Sequence, residues 1–273
     1  MSIPTNQNSR KVNCRWLSVE GHIDQIVKRF GGVAAYPELI ALFVQRGVGL
    51  SKAEGVHFIV EVMQSSNMDI CIEAINFILE LTEIDADLED RTLTIASSMA
   101  DQFVESSLPQ SLTGVLHRIN PDREEEKDAI FKVLGIFENL FELKPEAVEI
   151  AGQKSGLIQW ILSLLITQSG VADLLKKFDD NKLYASEILA ILMQNSSNQQ
   201  YLANLNCMEN LVHYLRTLQE LNQFPMDFKE TILNIFNCVA LSQMDAHCQQ
   251  EFAQCEGIDV MLRLLKYIYL IQE

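Results

Sequence analysis

The sequence predicts an all-α protein, a solenoid of stacked helical repeats, and three observations carry that prediction. Apolar residues recur with the helical period almost everywhere: Ile130, Leu134, Phe137 and Phe141 fall at i, i+4, i+7 and i+11, one stripe of a helix. Strand signals are lacking, with neither alternating apolar runs nor an Asn-Gly or Asp-Gly hairpin turn. Third, the stretches Ile136–Leu165, Leu189–Leu218 and Asn237–Leu265 share one plan. Each runs from an apolar helix end through a polar turn to a short helix, a loop, and a Leu/Ile-rich helix.

The repeat starts lie about 50 residues apart, somewhat above the roughly 40–47 of helical HEAT and armadillo units. The expected fold is therefore an armadillo/HEAT-like right-handed superhelical repeat solenoid. Each unit buries its apolar face only against its neighbours, so the stack forms one continuous core without a linker. That explains how 273 residues pass the usual single-core size without a domain boundary.

In chain order, residues 1–15 read as a polar tail and 16–273 as the repeat domain, its last repeat incomplete. A fainter copy of the repeat runs from Phe77 to Leu116. The long third helices are expected at Met68–Thr82, Asp122–Leu143, Asn181–Gln194 and Asp227–Leu241. Pro37, Pro109, Pro121, Pro145 and Pro225 sit at joints, where a first-turn proline costs little. Asn120-Pro121-Asp122 with Glu124, Glu125 and Glu126 places acids at a helix N-terminus, where the expectation is a solvated first turn that satisfies the helix dipole. Ser155-Gly156 before Leu157 marks another helix start. The longest uncharged run, Gly156–Ala172, contains Gln159, Ser163, Thr167, Gln168 and Ser169 and reads as a core helix too polar for a bilayer. Trp160 belongs to that core. The chain ends on Tyr267 to Glu273, inside an apolar second helix, and that open end leaves pairing with a second copy of the chain as one expectation.

Charge and cysteine usage narrow the function classes. A formal net charge of −16 repels nucleic acid and anionic membrane and favours basic partners. Lys and Arg are not interleaved with the few aromatics, so no nucleic-acid platform is expected. Cys14, Cys71, Cys207, Cys238, Cys248 and Cys255 lie scattered in apolar stretches without a CxxC pair, and read as reduced, buried thiols of a cytosolic or nuclear protein.

Enzyme signatures fail in turn. Gly47, Gly49 and Gly55 lack the spacing of a dinucleotide fingerprint or phosphate loop, and Gly152-Gln153-Lys154-Ser155-Gly156 lacks the glycine a phosphate loop needs four residues earlier. There is no G-x-S-x-G elbow. His22, His57, His117, His213 and His247 are isolated. His247, Cys248 and Cys255 are three loosely spaced metal-ligand types, read as structural residues. Asn195-Ser196-Ser197 is a glycosylation sequon that carries meaning only in a secreted chain. No enzyme activity, cofactor or metal is expected.

The long third helices of such an array line a groove, and its chemistry is the functional expectation. Alignment on the apolar stripe puts Glu80, Asn139, Ile191 and Ala240 at one level, and Asn76, Gly135, Glu187 and Phe236 one turn earlier. Glu83, Glu142 and Gln194 follow one turn later. Glu73, Asp128, Tyr184, Glu230 and Asn237 complete the polar face, with Lys132 its main cation. Asparagines can hold the backbone of an extended peptide bidentately, and carboxylates take its Lys and Arg side chains. Each exposed pair contributes only about 0–1 kcal/mol, so affinity has to come from several repeats together.

Particular segments resemble one family. The run from Phe178 through Asp179, Asp180, Asn181, Lys182, Leu183 and Tyr184 to Leu192 looks like a signature of the beta-catenin-like protein 1 family. So do Leu79–Asp85, Glu138-Asn139-Leu140 with Pro145-Glu146, and Gly156–Leu162. The resemblance spans about residues 20–270 in order. It implies a nuclear armadillo-like protein associated with the spliceosome, whose relatives bind basic nuclear-localisation-type segments of splicing factors and, in vertebrates, the antibody-diversifying cytidine deaminase. Against the family pattern the chain looks shortened at both ends, and Ser9-Arg10-Lys11 is a poor substitute for the family's nuclear-targeting region. The leading expectation is a non-enzymatic splicing scaffold that binds basic segments of splicing-factor proteins, without direct nucleic-acid or membrane contact. The alternative is a cytoplasmic armadillo adaptor or a homodimeric structural module.

Overall fold

The computed structural model describes residues 56, 59–60, 62–83, 90–120, 123–166, 179–205, 207–218 and 226–270. The polar tail, Cys14, His22, Pro37, the glycines at 47, 49 and 55, His57, Pro121, Asp122, Pro225 and the end of the uncharged run lie outside them. Within them the chain is all-helical and no strand occurs. Twelve helices follow in order: α1 (Met68–Thr82), α2 (Asp90–Glu105), α3 (Leu108–Leu116), α4 (Glu124–Leu143), α5 (Glu146–Lys154), α6 (Leu157–Leu165), α7 (Asp180–Leu192), α8 (Ser196–Asn204), α9 (Met208–Leu218), α10 (Met226–Ser242), α11 (Ala246–Gln254) and α12 (Gly257–Leu270). None is long and apolar enough to cross a membrane.

The repeat plan is visible in the helices. The expected long helices are α1, α4, α7 and α10, displaced by no more than two residues at any end. Each of α4, α7 and α10 leads into a helix of nine residues (α5, α8, α11) and then a Leu/Ile-rich one (α6, α9, α12). The first unit differs, because α2 has 16 residues where its counterparts have nine. The long helices pack in series, α1 on α4, α4 on α7 and α7 on α10, while the short helices α5 and α8 pack on each other. Buried apolar residues from Val56 to Leu264 form one contiguous core, Trp160 among them.

Local chemistry sets the turns. Asn195 Oδ1 accepts from the amides of Ser197 (2.9 Å) and Asn198 (3.2 Å), and Asp245 Oδ1 accepts from those of His247 (2.8 Å) and Cys248 (3.1 Å). These are equivalent caps at the starts of α8 and α11. Asn195, the first residue of the sequon, is thus half-buried and serves as a helix cap. The residue before the Leu/Ile-rich helix is left-handed in three repeats: Ser107 (φ 66°), Gly156 (φ 82°) and Glu256 (φ 58°). Glycine adopts this conformation without strain; serine and glutamate do so at a cost.

Asparagine side chains stitch the repeats together. Asn181 Nδ2 donates to the Lys127 carbonyl (3.0 Å), Asn234 Nδ2 to Ser186 Oγ (3.0 Å), and Asn139 Nδ2 to Thr82 Oγ1 (3.5 Å). Each bond joins one long helix to the preceding one. Asn198, fully buried, donates to the carbonyls of Val148 (3.0 Å) and Leu192 (2.9 Å), tying α8 to both α5 and α7. Gly152 is part of this seam. A Cβ at that position would lie 2.1 Å from Asn198 Oδ1, so the glycine that looked like part of a phosphate loop is there for close approach.

Candidate peptide-binding face

The stripe Phe131–Gly135–Glu138–Glu142 follows the buried stripe of α4 by one residue and faces outward. Phe131 is 46% exposed, Glu138 and Glu142 are exposed, and Gly135 is half-buried. A helix buried against both neighbours leaves only this arc free to face outward. The matching arc of α7 carries Tyr184, Glu187 and Ile191, with Gln194 in the turn just past its end; that of α10 carries Glu230, Leu233 and Asn237, with Glu230 and Asn237 exposed and Leu233 40% exposed.

Three of these helices converge on one acidic cluster. The Tyr184 hydroxyl donates to Glu138, orienting its carboxylate. Desolvation, then repulsion from Glu230 and Glu138, raises the carboxyl of Glu187 above its ordinary range. Burial, then the Glu138 bond and charge, pushes the Tyr184 phenol well up, so its hydroxyl remains a donor. Beside the carboxylates the Phe131 and Tyr184 rings pack with centroids 4.9 Å apart, tilted by 52°. Next to the cluster an open cleft of ≈ 450 Å³ is lined by Glu138, Phe141, Glu142, Ile191, Gln194 and Asn195, among others. Among the described residues no ion pair joins Glu138, Glu187 or Glu230 to a cation.

The sequence-predicted residues divide into those the fold gathers and those it employs elsewhere. Glu142 and Gln194 line the same cleft, and Tyr184, Glu187 and Glu230 belong to the cluster. On α1, one layer away, Glu80 is exposed and Glu73 and Asn76 are half-buried, and Glu83, exposed, follows its end. Asp128 holds Lys132 at 2.6 Å, one turn along α4, so the cation of this face is already neutralised. Asn139 is directed at Thr82, which weakens its assignment as a peptide-backbone clamp. Of the acidic first turn, Glu126 is 6% exposed. It accepts from the Asn120 amide (2.7 Å) and pairs with Arg123 (2.9 Å), closing its own helix start. Gly135, set level with Glu187 in the sequence alignment, is also reached by Tyr184, whose hydroxyl oxygen would lie 3.4 Å from a Cβ at that position.

Sequence reasoning did not single out Phe131, Glu138 or Leu233 for this face. The signal was present, since all three lie one position past a buried residue of the apolar stripe. Apolar Phe131 and Leu233, however, look like core until their neighbours are known.

The remaining chemistry is structural. Cys71, Cys207, Cys238 and Cys248 are buried and Cys255 half-buried, all as free thiols. Burial raises Cys207 to about 12 and Cys248 to about 11, far from a reactive thiolate. His117, His213 and His247 are exposed, and the described residues bring together no three groups able to hold a metal. On α12, Ile258 and Leu262 are 62% and 52% exposed, one turn apart.

Comparison with known proteins adds a family to this geometry. A family model described as "Catenin-beta-like, Arm-motif containing nuclear" matches residues 7–272. The Homo sapiens protein named "Beta-catenin-like protein 1" is 28% identical over 253 residues, which cover 92% of this chain and 42% of that relative. The Schizosaccharomyces pombe "Beta-catenin-like protein 1 homolog" is 25% identical over 254 residues, covering 93% and 42%. The chain thus spans 42% of the length of these curated relatives.

Proposed function

This chain belongs to the catenin-beta-like, Arm-motif-containing nuclear family, and from that premise we propose that it is a non-enzymatic scaffold binding basic segments of partner proteins. The binding surface is the outward face of α4, α7 and α10. The observation that carries the reading is the grouping of Glu138, Glu187 and Glu230, contributed by three successive long helices. Gathering like charges raises the free energy of the folded chain, and a Lys- or Arg-rich segment would offset that repulsion on binding. Family resemblance supports splicing-factor proteins as the partners and the nucleus as the place of action.

Titration of a fluorescent nuclear-localisation-type peptide at rising salt tests the reading. Affinity should fall steadily with ionic strength, because the attraction is largely between screened charges. Reversing the cluster with Glu138→Lys, Glu187→Lys and Glu230→Lys together should weaken binding by about a hundredfold, from roughly 1 kcal/mol for each of the three pairs. Unchanged affinity in that variant would sink the proposal.

The exposed Ile258 and Leu262 of α12 favour a second reading, self-association of the chain through that apolar strip. Light scattering at rising concentration decides it: a monomeric mass throughout removes the homodimer.

A further inference from the structure

Charge explains why a basic segment would settle on this face, and leaves open which base it prefers. The aromatic pair beside the cluster addresses that. Phe131 exposes 46% of its surface although its apolar neighbours on α4 are buried. Its ring is not mobile decoration: it packs on Tyr184, whose hydroxyl is in turn committed to Glu138. Gly135, one turn along α4, keeps the floor low where Tyr184 crosses, since even a Cβ would meet its oxygen at 3.4 Å and Leu79 Cδ1 at 3.5 Å. The result is a fixed aromatic wall with carboxylates at its edge.

Resting on the charge reading above, we propose that this wall makes the face selective for arginine over lysine at the position docked between Phe131 and Glu187. A guanidinium is planar and weakly hydrated. It can lie flat on the exposed Phe131 ring while its N–H groups fork onto the carboxylates of Glu138 and Glu187. An ammonium is compact and strongly hydrated; it gains the charge attraction but gives up more hydration to reach an aromatic face. Lowering the charge of the site would weaken both cations. Removing the ring would weaken only the arginine.

The experiment compares all-arginine and all-lysine peptides of equal length and charge by fluorescence anisotropy, at two salt concentrations. With the native chain the arginine peptide is expected to bind about fivefold tighter, the scale of one exposed cation–π contact. Phe131→Leu keeps apolar bulk and removes the π face; it should bring the ratio to about one while the salt dependence persists. Phe131 is half exposed, and a thermal melt of the variant confirms that the fold is kept. A Phe131→Leu ratio that stays at the native value overturns the proposal. So does equal affinity for the two peptides in the native chain, a result that leaves the charge reading standing. Loss of salt-dependent binding for both peptides would overturn the charge reading as well, so the two failures are distinct.

Discussion

Glu126 and Glu187 lie on neighbouring long helices, both withdrawn from full exposure, and their environments push their carboxyls in opposite directions. Glu126 accepts the Asn120 amide and pairs with Arg123, which holds its carboxyl below the usual range. Glu187 is partly desolvated and faces Glu230 and Glu138, which holds its carboxyl above it. The first negative charge is consumed by the fold, closing a helix end. The second opposes the fold. A charge that costs stability and has no partner within the described chain is the kind of feature that persists for a partner outside it. The same division runs through the amides: Asn181, Asn198 and Asn234 all bond across packed helices, so none is available to a peptide.

If that division is sound, disturbing the employed polar groups should destabilise strongly. Gly152→Ala is expected to show the largest effect, about 2–3 kcal/mol by chemical denaturation. The added methyl has to displace the Asn198 amide from the two carbonyls it bonds across the repeat. Pairing it with Asn198→Ala should add much less than the sum, because both changes break the same bonds. Additive effects would mean the seam is not a unit. Next comes Glu126→Ala, expected to cost about 1.5 kcal/mol for its charged hydrogen bonds. Because the folded carboxyl titrates below its unfolded value, this stabilisation is present above the unfolded value and lost as pH falls through the folded one. Native and variant melts should therefore converge in acid.

These employed groups were mostly hidden from sequence reasoning, while the scaffold around them was plain. Helix period and repeat spacing placed α4, α7 and α10 within two residues, because burial of an amphipathic face dictates both helix type and orientation. The acidic character of the face was legible for the same reason: positions off the apolar stripe have nowhere to point but outward. What sequence could not supply was partnership. Nothing in Asn198 or Gly152 announces that they meet across a repeat, whereas the Asp128–Lys132 pair, at i,i+4, was open to sequence reading. Glu138 escaped because its neighbours Tyr184 and Glu187 are about 50 residues distant, and only packing reveals that three carboxylates share one site.

The smallest stability effect is the most diagnostic, since its sign should reverse. Glu187→Gln removes a charge that faces Glu138 from α4 and Glu230 from α10, keeping the size of the side chain. At neutral pH it should stabilise the chain by a few tenths of a kcal/mol, the usual magnitude of a partly exposed like-charge contact. A raised folded carboxyl favours the protonated state, so native stability tied to it is complete below the unfolded value and lost as pH rises through the folded one. The advantage of glutamine should accordingly vanish below about pH 4.5, the group's ordinary value. In the same variant, binding of a basic peptide should weaken about fivefold, by the loss of roughly one exposed ion pair. Gain in stability with loss of binding is the signature of a charge kept for a ligand. Were Glu187→Gln instead to destabilise the chain, Glu187 would belong with Glu126 among the groups the fold employs, and the contrast between the two carboxylates would no longer separate scaffold from site.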